Sequence, residues 1–211
     1  MSDPSSPEQL GQSINVFMRV LTGVSVDRYG DATPCAEFTV RGLVNHMAKI
    51  FLMAEALGRD REWDPSTATA DPMPFLAETP ESGWPPLLAE RAQAAVMTWA
   101  DPQVWEGEAS MGGSLMATAA LGGILIGEFT VHAWDLAVAT GRFLRIPDHL
   151  AASTLETYRR EAPRMRGLGL LGDEVTPDAD ASLFDQALAL SGRDPHWGPP
   201  PRAARALGTD A

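Results

Sequence analysis

Leu121-Gly122-Gly123-Ile124-Leu125-Ile126-Gly127-Glu128-Phe129-Thr130-Val131-His132-Ala133-Trp134-Asp135-Leu136-Ala137-Val138-Ala139-Thr140-Gly141 carries both the fold and the chemistry of this chain. The stretch predicts a helix over about 114–140. Leu121, Leu125, Glu128, His132, Asp135 and Ala139 recur at steps of four, three, four, three and four. At about 100° per residue they share one face. Glu128 and His132 therefore stand one turn apart, and Leu121 and Leu125 turn that face inward. Gly122, Gly123 and Gly127 weaken the helix intrinsically, so a neighbouring helix is expected to approach closely there. Gly141 suits the residue just past a helix end.

Amphipathic helices surround this one. Ser6 fits an N-cap, Pro7 the first helical position, and Gln9 the third position of a capping box. Leu10, Ile14, Phe17, Leu21 and Val24 then form one apolar stripe. A loop over Gly30 to Ala36 leads to a second helix starting at Thr39. Its stripe is Val40, Leu43, Val44, Met47, Ile50, Phe51 and Ala54, and Gly58 is expected to end it. Residues 59–86 carry six prolines and read as a long surface connection of the kind that borders binding sites. A third helix is predicted from Pro86 to Trp99, then a turn-like stretch from Glu106 to Gly113. Further helices are predicted over about Asp148–Ala162 and Ala179–Ser191. No internal repeat and no alternating strand pattern stand out. The expected class is all-α, a four-helix bundle with additional C-terminal helices. Residues 1–195 read as a single domain and 196–211 as a Pro-rich, flexible tail.

Composition narrows the function classes. The chain has 211 residues, 45% of them hydrophobic, and a formal net charge of −12. A surface this acidic repels phosphate backbones, so nucleic-acid binding is disfavoured. The N-terminus has no positive region and no apolar core, which argues against a signal peptide. No uninterrupted apolar run approaches the roughly 20 residues that span a bilayer. Cys35 is the single cysteine, so no internal disulfide is available. A cytoplasmic protein without a membrane segment is the simplest expectation.

The residues themselves suggest a metal. His46 lies at the edge of the second helix's stripe, and Glu128 and His132 face inward from the fourth. An inward carboxylate without a partner costs several kcal/mol, so it takes up a proton or finds a cation. Two histidines and one carboxylate leave a coordination position open, which suits catalysis or substrate binding better than a closed structural site. Asp135, one turn past His132, has two readings. It accepts the far N–H of a ligating histidine, or it binds backbone in the loop before the second helix. Cys35 has no evident basic neighbour and reads as an inert, buried thiol. His149 reads as a surface residue and His196 as a loop residue. No phosphate-loop, GxSxG or HExxH pattern occurs.

Three segments resemble a known family. Thr33-Pro34-Cys35-Ala36-Glu37-Phe38-Thr39-Val40-Arg41-Gly42-Leu43-Val44-Asn45-His46 resembles the TPC-x-x-W-T-V-R-D-L-V-x-H opening of DinB-like proteins of the mycothiol-dependent maleylpyruvate isomerase N-terminal type. Val131 to Gly141 is similar to that group's V-H-x-W-D-L-A-x-A-T-G, and Gly192-Arg193-Asp194-Pro195 to its GRDP ending. The resemblance implies an up-down-down-up four-helix bundle. It implies a divalent metal, often zinc or nickel, held by a histidine on the second helix and an E-x-x-x-H pair on a later one. His46, Glu128 and His132 fall on those positions. Phe38 stands where the group has Trp. Gly42 replaces an acidic residue that would complete a capping box with Thr39, so a weaker helix start is expected. The chain is expected to lack room for the separate C-terminal domain of full-length isomerases.

Four functions fit these residues. A thiol-dependent transferase or isomerase would bind a low-molecular-weight thiol such as mycothiol at the metal and act on a small electrophilic substrate. A metal-dependent hydrolase would need a general base, and Glu128 is already committed. A non-catalytic metal-containing binding protein needs no base. A facial iron site for oxygen chemistry uses the same ligand set. Zinc is the first choice of metal, with nickel and iron as alternatives. The expected partners are a small molecule or thiol, with a homodimer as a further option.

Overall fold

A computed structural model describes residues 5–64 and 75–200. Six helices form the body: α1 (Pro7–Leu21), α2 (Val40–Arg59), α3 (Trp84–Trp99), α4 (Thr118–Ala139), α5 (Asp148–Gly167) and α6 (Leu183–Leu190). The first four make a bundle in which α1 packs on α3 and α4, and α2 on the same two. Phe17, Phe51 and Phe129 meet at its centre, with ring centroids 4.9–6.3 Å apart. The all-α bundle with C-terminal helices is thus present.

Helix α4 is buried on two sides. Leu121, Leu125, Phe129 and Leu136 face the bundle. Val131 and Trp134 face a second apolar cluster, with Leu155, Tyr158, Ala162 and Met165 of α5 and Ala187 and Leu188 of α6. The α4 glycines allow this crowding. A Cβ on Gly122 would lie 2.4 Å from the Trp105 ring, and one on Gly123 2.9 Å from Thr157 Oγ1 of α5. By length and composition α4 could cross a bilayer, with a mean hydropathy of 1.2. Glu128, His132 and Asp135 interrupt it, so the expectation of no uninterrupted apolar run of that length stands. Its burial explains the apolarity: 89% of that window lies inside the protein.

Several predicted boundaries shift. Helix α3 begins at Trp84 rather than Pro86, because prolines in a first turn lack only N–H groups that have no helical partner. Helix α2 runs past Gly58 to Arg59. Gly58 is instead a contact point, where a Cβ would lie 2.4 Å from Thr98 Cγ2 of α3. Helix α5 continues through Pro163 to Gly167, held by buried Ala162 and Met165 on either side of the proline. Helix α6 starts at Leu183, where Ser182 caps by accepting from Asp185 N–H. At α1, Ser6 accepts from Gln9 N–H at 3.3 Å, but Gln9 Nε2 reaches the His149 carbonyl instead of closing a capping box.

The expectation of no strands is corrected by a small sheet: β1 (Glu62–Trp63), β2 (Glu108–Met111) and β3 (Ser114–Ala117). Strands β2 and β3 form a hairpin through Gly112 and Gly113, both at positive φ, as a two-residue turn of the primed type requires. Strand β1 runs parallel to β2. Arg61, at φ 58°, ties this unit down. Its guanidinium donates to the carbonyls of Gln103, Val104 and Glu106 and to Thr118 Oγ1 at 2.8–3.1 Å. Residues 65–74 of the predicted proline-rich connection, and residues 201–211 of the tail, lie outside the described residues. Within the described part of the tail, Trp197 packs partly buried against both apolar clusters.

Candidate metal centre

The loop before α2 aims His46. Thr33 Oγ1 donates to the Phe38 and Cys35 carbonyls, and residues 32 and 39 pair as an isolated bridge. Thr39 caps α2 through Gly42 N–H at a long 3.4 Å, in line with the missing acidic residue. The first amides of α2 find other partners. Val40 N–H donates to the Asp31 carbonyl at 2.9 Å and Arg41 N–H to the Tyr29 carbonyl at 2.8 Å. Phe38 stacks on the His46 imidazole, with centroids 5.1 Å apart and planes 29° apart.

His46, Glu128 and His132 come together between α2 and α4. One ligand atom from each lies within 4.8 Å of the others, the metal-type cluster among the described residues. His46 Nε2 and His132 Nε2 both stand 3.3 Å from Glu128 Oε2. Two donor atoms each about 2.0–2.1 Å from one tetrahedral ion would stand about 3.3–3.4 Å apart, so the donor set and its spacing fit a divalent ion. His132 Nδ1 lies 2.9 Å from Asp135 Oδ2. That bond places the His132 proton on Nδ1. In its neutral form the ring turns an Nε2 lone pair toward the carboxylate oxygen, and a proton or a cation between them makes that contact favourable.

The electrostatics favour positive charge between these groups. Burial alone would raise the Glu128 carboxyl, but hydrogen bonds from His132 and His46 hold it well below the usual range. Burial pulls His46 down, outweighing its bond to Glu128. Burial pulls on His132 as well, yet Asp135 and Glu128 together push it up. Burial pushes the Cys35 thiol up to about 11, against an opposing pull from Arg193. Cys35 is therefore a neutral thiol at ordinary pH.

Asp135 accepts from His132 and from Arg193 NH2 at 3.2 Å, and among the described residues no backbone bond from the loop before α2 reaches it. Arg193 was not legible as a partner. It sits 58 residues from Asp135 in the chain. The two remaining histidines stay away: exposed His149 bonds Gln12, and exposed His196 pairs with Asp178 at 2.9 Å.

Comparisons with known proteins follow the same lines. Uncharacterized proteins from two strains of Mycobacterium tuberculosis are 31% identical over 205 residues, covering 90% of this chain and 98% of theirs. The crystal structure of the mycothiol-dependent maleylpyruvate isomerase superimposes with a TM-score of 0.65 at 15% identity, covering 92% of this chain and 90% of that one. A histidine-to-alanine mutant structure of that isomerase gives 0.59 at 14% identity, over 83% and 76%. These superpositions show the shared fold. The family model described as the mycothiol maleylpyruvate isomerase N-terminal domain matches residues 10–137, and the chain belongs to that family.

Proposed function

We propose that this protein holds a divalent ion, zinc by preference, through His46, Glu128 and His132, and uses it with a low-molecular-weight thiol such as mycothiol to act on a small electrophilic substrate by thiol transfer or isomerisation. The observation that carries the reading is the pair of 3.3 Å approaches of two imidazole nitrogens to one carboxylate oxygen, with His132 turned by Asp135. The ion would supply positive charge that keeps a coordinated thiol ionised near neutral pH.

The chain's own residues do the rest. Glu128 brings the negative charge that makes a dication welcome in a buried place. Asp135 holds the Nδ1 proton of His132 and keeps the ring's other nitrogen free to donate electrons. Phe38 covers one face of His46 and shields it from water. Glu128 is held by both histidines, so it is not free to act as a general base. A thiol that brings its own nucleophilic atom suits such a site better than hydrolysis does. The protein's kinship with the mycothiol maleylpyruvate isomerase N-terminal domain supports the same choice.

Elemental analysis of the purified protein tests the metal, and cobalt substitution tests the thiol. Adding mycothiol to the cobalt form is expected to bring up an intense near-ultraviolet charge-transfer band. An unchanged spectrum at saturating thiol would remove thiol chemistry and leave a hydrolytic or non-catalytic metal protein.

A further inference from the structure

One side chain of this centre arrives from the C-terminal part of the chain, beyond the residues that the family model matches. Helix α6 ends in a tight reversal. Gly192 N–H donates to the Ala189 carbonyl and Arg193 N–H to the Leu188 carbonyl, the double bond of a Schellman motif. Gly192 has φ 82°, and a Cβ there would lie 3.0 Å from the Asp173 carbonyl oxygen. Only glycine fits both demands. The reversal sends Arg193 back into the protein, where it is 8% exposed. Its NH1 donates to the Ser191 carbonyl at 2.9 Å and its NH2 to Asp135 Oδ2 at 3.2 Å.

The choice of oxygen matters. Oδ2 is the atom that also takes the His132 Nδ1–H, while Oδ1 is buried with no partner among the described residues. Nothing bonded to Oδ1 resists rotation of the carboxylate about its own bond. Among the described residues, its hydrogen bonds come from Arg193 and His132, both at Oδ2. A guanidinium that merely neutralised Asp135 could sit at either oxygen; this one fixes the plane in which His132 is held.

We propose that Arg193 is a positioning residue for the metal centre, and that docking of the α6 segment and divalent-ion binding are coupled through Arg193, Asp135 and His132. The inference rests on the metal reading above. Coupling of this kind is reciprocal: what tightens the ion also tightens the segment. Zinc should therefore slow amide hydrogen exchange in 183–193 as well as around His132.

The experiment measures Zn2+ affinity by competition with a chromogenic chelator, in Arg193→Met and Arg193→Lys, each in the Asp135 and Asp135→Asn backgrounds. Arg193→Met is expected to weaken Zn2+ binding roughly 10–100-fold. Arg193→Lys keeps the charge but loses the fork that reaches Ser191 and Asp135 from separate nitrogens, so it should weaken binding by a smaller factor. With Asp135→Asn already present, Arg193→Met should add less than about twofold. Equal losses in both backgrounds, or wild-type affinity in both Arg193 variants, would overturn the inference and leave the metal reading standing. A wild type that takes up no Zn2+ would overturn both. Hydrogen exchange on the wild type needs no variant to fold: unchanged exchange in 183–193 on adding Zn2+ refutes the coupling.

Discussion

His46 and His132 approach the same carboxylate oxygen at the same 3.3 Å, from opposite kinds of surroundings. His132 rises from the most buried helix of the protein, with a carboxylate holding its far nitrogen and an arginine holding that carboxylate. His46 stands at the edge of α2 with its side chain 17% exposed, and the stacked ring of Phe38 covers one face of it. One half of the centre is fixed by the core and the other is lightly held. Such a division suits a site that keeps its place on α4 while the α2 side admits a ligand.

The largest effect should come from the fixed half. Chelation is expected to lower the stability of the wild type, by roughly 4 kcal/mol where the ion had been a thousandfold above its Kd. In His132→Ala, chelation should shift the melting temperature little. A shift in His132→Ala as large as in the wild type would mean that the ion is held elsewhere. Next in size is Asp135→Asn, expected to weaken metal affinity by roughly 10–100-fold. Removal of a partner from a buried ion pair also costs folding stability, about 3–5 kcal/mol at worst. Affinity must therefore be measured on protein shown to be folded by its near-ultraviolet dichroism.

The lightly held half should answer more weakly. Phe38→Leu removes ring stacking worth about 0.5–1.5 kcal/mol, so the metal Kd should rise about two- to tenfold. A loss greater than that of Asp135→Asn would invert the comparison between the two halves. The smallest effect is on pH dependence in metal-free protein, because the two histidines act in opposite directions. His46 has its folded value below the ordinary 6.5, so its contribution is present above 6.5 and lost as pH falls through the folded value. His132 has its folded value above 6.5, so its contribution is full below 6.5 and lost as pH rises through the folded value. Urea midpoints measured in chelator across pH 5–9 should flatten on the acid side in His46→Ala and on the alkaline side in His132→Ala. If both variants flatten the same side, the two surroundings do not differ as described.

Local signals made much of this readable from the chain. Ser6 and Pro7 located α1 because capping is a contact between near neighbours. The four-residue spacing of Glu128 and His132 set them on one face before any tertiary contact was known. The β2–β3 hairpin escaped because four-residue strands are too short for alternation to stand out, and its glycines read as turn alone. Helix α5 outruns its predicted end at Ala162 and passes through Pro163, because burial of Met165 beyond it outweighs one lost backbone bond. Arg193 escaped for a different reason. Its meaning lies in the reversal after α6 and in Asp135, and no local pattern joins the two.

Helix α4 also has a consequence for synthesis. Its bundle face meets α1 and α2, which leave the ribosome earlier, but its second face waits for α5. At ordinary elongation rates the stretch from Ala139 to Gly167 takes roughly 1–6 s. For that interval the nascent chain carries Val131 and Trp134 uncovered on a helix apolar enough to pass for a membrane span. Chaperone capture and misdirected aggregation during translation should concentrate on this window, and end when α5 closes over it.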